Sequence, residues 1–141
     1  MVLTPNRETL MKKLLLLALF SSCTFAAELD LNQYSDSLDY AQVTKAVASQ
    51  SADGTWCFNT TVRHNDEGWE HYADGWEVTD LEGKQLGFRL LLHPHETEQP
   101  FTRSLCGVKI PVDVTKVVVR ARCKVHGYGG KAVLIELESK K

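Results

Sequence analysis

Apolar and polar residues alternate from Thr55 onward. Trp56, Phe58, Thr60 and Val62 fall on one side and Cys57, Asn59, Thr61 and Arg63 on the other, the two-residue period of a strand with one buried face. His64-Asn65-Asp66-Glu67-Gly68 turns the chain, and Tyr72, Asp74, Trp76 and Val78 alternate into a second strand. Asp80-Leu81-Glu82-Gly83-Lys84 has the acidic and glycine residues of a hairpin turn. A third strand puts Leu86, Phe88, Leu90 and Leu92 on one face, with Gly87, Arg89, Leu91 and His93 on the other. Phe101 to Ile110 reads as a further strand with a bulge at Gly107. Past a turn at Pro111-Val112-Asp113, Lys116 to Lys124 is a Val-rich strand, His126 to Gly130 a flexible turn, and Ala132 to Leu137 a closing strand. Six or seven short strands without a helix long enough for a parallel crossover predict an immunoglobulin-like antiparallel β-sandwich over residues 55–141, with a small β-barrel as the alternative.

Residues 27–54 lack this period. Tyr34, Leu38, Val43, Ala46 and Val47 fit one face of a short helix between Asp36 and Ser49, capped by Ser35 to Ser37, or else the segment is a polar leader. Ahead of it stand basic Lys12-Lys13, the apolar run Leu14 to Phe20 and small residues ending at Thr24-Phe25-Ala26, the three parts of a secretory signal, with Met11 a candidate start. The apolar run is too short to span a bilayer, which takes about 20 residues. The chain is expected to be exported, periplasmic or secreted, with cleavage after Ala26. The variant reading is a lipid anchor at Cys23, following Phe20-Ser21-Ser22.

The 141 residues carry a formal charge of −2. Removal of residues 1–26 lowers Lys+Arg from 16 to 13 and Asp+Glu from 18 to 17, leaving −4. A mildly acidic domain without clustered Lys and Arg offers no electrostatic footprint for nucleic acid. Without Cys23, three cysteines remain, enough for one disulfide and a leftover thiol. Cys123 lies in line with Val117, Val119 and Ala121 on the core face, and Cys57 and Cys106 are candidates to pair. The absence of Cys-x-x-Cys argues against a thiol-redox motif or zinc ribbon.

Most of the unusual chemistry lies between Gly68 and Arg103. His93 and His95 flank Pro94, which favours extended backbone, so the two imidazoles point the same way and form half of a zinc or copper(II) site. His71, His126, Glu96, Glu98 or Asp74 would complete it. Copper(I) fits less well because the mature chain has no methionine. The competing reading gives each histidine a backbone partner. Trp69 is expected to be exposed as a stacking surface, whereas Trp56, Trp76 and Phe88 belong to the core. Arg89 and Arg103 are candidates for binding a ligand carboxylate, the alternative being ion pairs with Glu77 or Asp74, and Glu98 joins Trp69 as a further ligand-binding candidate. Asn65-Asp66-Glu67-Gly68 resembles a calcium turn only in part. Ser104 and the thiols have no visible base, which disfavours nucleophilic catalysis.

Gly68-Trp69-Glu70-His71-Tyr72-Ala73-Asp74-Gly75-Trp76, the run Leu86 to Leu105 containing His93-Pro94-His95 and Gln99-Pro100-Phe101-Thr102-Arg103, and Val125-His126-Gly127-Tyr128-Gly129-Gly130 together resemble a small family of exported bacterial proteins of unassigned function. The resemblance covers Trp56 to Gly130 and implies a compartment, without catalytic residues. The sequence reading is therefore an exported binding or accessory module for an unknown protein or small molecule. Its alternatives are a zinc or copper(II) protein using His93, His95, His71 and His126, and behind that a metal-dependent hydrolase.

Overall fold

The computed structural model describes Ser22 and residues 27–139. The signal sequence, the candidate start at Met11 and the candidate anchor at Cys23 lie outside the described residues. Eight strands form: β1 Gln42–Gln50, β2 Trp56–Arg63, β3 Ala73–Thr79, β4 Gln85–Leu90, β5 Phe101–Val108, β6 Lys116–Cys123, β7 Gly127–Tyr128 and β8 Val133–Glu136. They make a three-stranded sheet, β1-β2-β5, and a five-stranded sheet, β4-β3-β6 with β7 and β8 both on β6. Every pairing is antiparallel. The sheets face each other as a sandwich and do not close into a barrel, and there is no helix among the described residues.

Trp56, Phe58 and Val62 from one sheet and Trp76, Val78, Val117 and Val119 from the other meet in a single core, completed by Phe101 and Leu91. Each such fully buried side chain contributes about 1.5–3 kcal/mol. The bulge expected at Gly107 is present: Trp56 pairs with Val108 and Phe58 with Leu105, and Gly107 has φ +71°. Cys57 and Cys106 sit at this irregularity and are joined as a disulfide.

The first correction concerns residues 36–49. Gln42–Gln50 is a strand along β2, with no helix, so the sandwich begins ahead of residue 55. A register shift after Val43 turns Ala46 and Ala48 toward the core while Val47 is exposed. Pairing with β2 outweighs the local helical spacing of small residues.

The second correction concerns the face of β4. Leu90 and Leu92 are exposed and Leu91 is buried instead. Phe88 pairs opposite Glu77 on the outer face, lies over Gly75 and carries the Arg122 guanidinium at 4.7 Å from its ring centre. It is half-buried there, outside the inter-sheet core.

That outer face is also covered. Leu29, Leu31 and Tyr34 line a pocket with Val118, Arg120 and Tyr128, and backbone bonds fix the run at both ends, Leu29 N–H to the Leu81 carbonyl and Ser35 N–H to that of Gly129. Gln42 holds the same run through its side-chain amide, which donates to the Ser35 and Ser37 carbonyls. Residues 27–41 thus form a third layer. β3 is buried on both faces, its outer one by Phe88 over Gly75 and by the partners of Glu77, which accepts from Arg120 at 2.6 Å and from Gln85 at 2.8 Å.

Candidate functional site

Four chain segments meet at one end of the sandwich: the end of β2, the β2–β3 loop, the β6–β7 turn and the last residues of the leader. His64 follows directly on β2, so the strand's register sends it inward, where it is 1% exposed. His71 is returned to it by a bridge between Glu67 and His71. Cys123 ends β6 on the core face and is 2% exposed. The pairing of Cys123 with Gly127 folds the turn back, so that the His126 backbone N–H donates to Cys123 Sγ at 3.1 Å and its Nδ1 lies 3.4 Å from the same sulfur.

Among the described residues, His64, His71 and Cys123 are the group whose donor atoms converge, all lying within 4.8 Å of one another. Tetrahedral zinc with nitrogen and sulfur ligands holds its donors roughly 3.3–3.8 Å apart, so the three atoms would have to draw closer to hold one. The rings of His64 and His71 meet edge to face at 4.8 Å, His71 and His126 at 5.0 Å, and Tyr40 packs on His126 at 5.0 Å. The leader also delivers the Asp39 carbonyl oxygen, 3.1 Å from His64 Nε2, 3.3 Å from His71 Nε2 and 3.4 Å from Cys123 Sγ.

Asp66 stands behind His64. Its Oδ1 takes the His64 Nδ1–H at 2.6 Å and the Ala73 N–H at 3.0 Å, and its Oδ2 takes the His95 N–H at 2.7 Å. Burial raises the Asp66 carboxyl, but the bonds from His64, His95 and Ala73 outweigh it and hold it below the usual carboxylate range. A carboxylate in this place fixes the imidazole tautomer and leaves Nε2 to face an ion. These commitments turn the Asp66 carboxylate inward, away from the calcium-like turn of Asn65 to Gly68.

The four histidines expected to act together divide into two groups. His71 and His126 join His64 and Cys123. His93 and His95 lie on the other side of Asp66, ring centres 4.5 Å apart, with His95 stacked on Phe101 at 4.0 Å. His93 Nδ1 donates to the Pro94 carbonyl at 3.0 Å, and neither ring nitrogen of buried His95 has a hydrogen-bond partner among the described residues. Burial, then the charges of Arg103 and His93, keep the His95 imidazole below its ordinary pKa.

The remaining candidates are placed as follows. Arg103 pairs with Glu98 at 3.3 Å, and Arg89 crosses to β5, donating to the Ser104 carbonyl at 3.1 Å. Glu77 and Asp74 pair instead with Arg120 and Arg122. Trp69 is 60% exposed, packs edge-on against Tyr72, and walls an open groove with His93 and Pro94. Sequence reasoning missed His64, assigned to a turn, Cys123, assigned to the core, and the Asp39 carbonyl. The Cys123-x-x-His126 spacing was the one signal in the sequence for the cluster.

No protein-family model matches the chain, and no solved structure matches it. A protein of Halomicrobium mukohataei described as a "Putative lipoprotein" is 47% identical over 94 residues, covering 66% of this chain and 46% of that one. The chain thus spans about half the length of that relative. No helix among the described residues is long and apolar enough to cross a membrane.

Proposed function

We propose that this chain is an exported accessory module that binds a transition metal, zinc or copper(II), through His64, His71 and Cys123. The carrying observation is the convergence of two imidazole nitrogens and one sulfur at the end of the sandwich. The Asp66 carboxylate behind His64 supports it, because such a partner is the usual companion of a metal-bound imidazole. Export is supported by the signal-like N-terminus, by the resemblance to exported bacterial proteins, and by the description of the relative as a lipoprotein, which also favours acylation at Cys23. His93 and His95 take no part in the metal in this reading.

The test is metal content of the full chain exported to a bacterial periplasm, followed by zinc and copper(II) titration of the metal-stripped protein. One ion per chain is expected, lost in Cys123→Ser and retained in His93→Ala with His95→Ala. A wild-type chain that binds neither ion overturns the proposal, as does a site abolished by the His93 and His95 changes but untouched by Cys123→Ser.

A further inference from the structure

Resting on the metal-binding reading, we propose that the cluster is a mononuclear copper centre for one-electron transfer, with His64, His71 and the Cys123 thiolate around the ion and the Asp39 carbonyl as a weak fourth donor.

The Asp39 carbonyl oxygen is the common neighbour of the three donor atoms. A carbonyl oxygen has two lone pairs, yet three side-chain atoms face that of Asp39 at 3.1–3.4 Å. His64 Nδ1 is committed to Asp66 at 2.6 Å, so Nε2 is the ring atom turned toward the carbonyl oxygen. A single ion seated among His64, His71, Cys123 and this oxygen would take up all four atoms at once.

The donor set then selects the ion. Two imidazoles and a thiolate with a weak backbone oxygen beside them are the donor combination that holds copper in electron-transfer sites. The thiolate supplies the soft donor that Cu(I) requires and that the methionine-free residues 27–141 otherwise lack. The His126 N–H bonded to Sγ at 3.1 Å is a further device that tunes the potential of a copper–thiolate bond.

Access points the same way. His64 and Cys123 are buried, with Val62 two residues before His64 and Ala73 paired with Cys123 both at 0% exposure, so the inner side has no room for a substrate. On the outer side the exposed His126 ring touches His71 and Tyr40, giving a π-contact route from the ion to the surface. In the step itself Cu(II) accepts one electron from a one-electron carrier protein and becomes Cu(I), then returns it to a second carrier. No bond to the ligands breaks and no proton moves.

The test uses the full exported chain, stripped of metal and loaded with one equivalent of copper(II). Expected are an intense thiolate-to-copper absorption in the visible, a narrow copper hyperfine splitting in the electron paramagnetic resonance spectrum, and repeated bleaching by ascorbate and recovery with ferricyanide. Cys123→Ser loses the band. His126→Ala keeps it but exchanges electrons with cytochrome c several-fold more slowly. Binding of one zinc per chain, while copper(II) gives only weak ligand-field absorption or oxidises Cys123 in the first cycle, overturns the copper inference and leaves the metal-binding reading standing. Binding of neither ion sinks both. An unchanged exchange rate in His126→Ala overturns the surface route.

Discussion

Asp66 holds together two groups of side chains that are otherwise separate. With its oxygens taken by His64, His95 N–H and Ala73 N–H, replacing it by Asn leaves at least one buried donor without an anionic partner. Asp66→Asn should cost roughly 2–4 kcal/mol in urea unfolding at neutral pH. Because the Asp66 carboxyl is lowered in the fold, its contribution is complete above the unfolded value of 3.8 and is lost as pH falls below it, so the variant should lose less stability than wild type between pH 5 and pH 3. His95 carries the opposite group chemistry. Its ring is held neutral between Phe101, His93, Arg103, Glu98 and Asp66, and its pKa lies below 6.5. The unfolded chain therefore takes up this proton first, and stability contributed by neutral His95 falls as pH drops through and below 6.5. His95→Phe keeps the stack on Phe101 and removes two buried nitrogens without partners, so metal-free protein should gain about 1–2 kcal/mol. Its unfolding midpoint should also vary less between pH 7.5 and pH 5.5.

At the scale of elements, the docking of the leader depends on Gly130. A Cβ there would lie 2.1 Å from the Ala41 carbonyl oxygen and 2.8 Å from its carbon, both backbone atoms with no side-chain freedom. Gly130→Ala should destabilise by about 1–3 kcal/mol and speed amide exchange at Val43, whose N–H bonds the Lys131 carbonyl. The sequence made β2, β3 and β6 legible because apolar residues recur at alternate positions, and β5 legible through Phe101, Leu105 and Val108, although Arg103 and the bulge interrupt its period. It concealed β1, whose inward positions are Ala46 and Ala48, too small to stand out from a helical spacing. The leader was concealed for a related reason: Leu29, Leu31 and Leu38 have no fixed period, and they meet the β3–β4 turn, the outer residues of β6 and, at Leu38, the β2–β3 loop. His71 and His126 were legible as chemistry, but their company was not. His64 and Cys123 join them only through the register of β2 and β6, and Asp39 contributes a backbone atom that no side-chain pattern records.

Across the whole molecule, the disulfide and the cluster of His64, His71 and Cys123 are kept apart. The disulfide links β2 to β5 at the start of β2, whereas the cluster lies past the end of that strand. Its two cysteines are 49 residues apart, a loop whose closure is worth roughly 4 kcal/mol of unfolded-chain entropy. Cys57→Ser with Cys106→Ser should lower the thermal midpoint clearly while leaving metal stoichiometry unchanged. The leader spans the same distance between ends. It enters at the β3–β4 turn, where Leu29 bonds Leu81, passes Gly129 at Ser35, and reaches the cluster at Leu38 and Asp39. A pull applied to residue 27 in single-molecule stretching therefore loads these attachments one after another, like a strip peeled from its far edge. The contacts at Leu29 and Ser35 should give way at low force, and the cluster should feel the tension only when the strip has come away as far as Leu38.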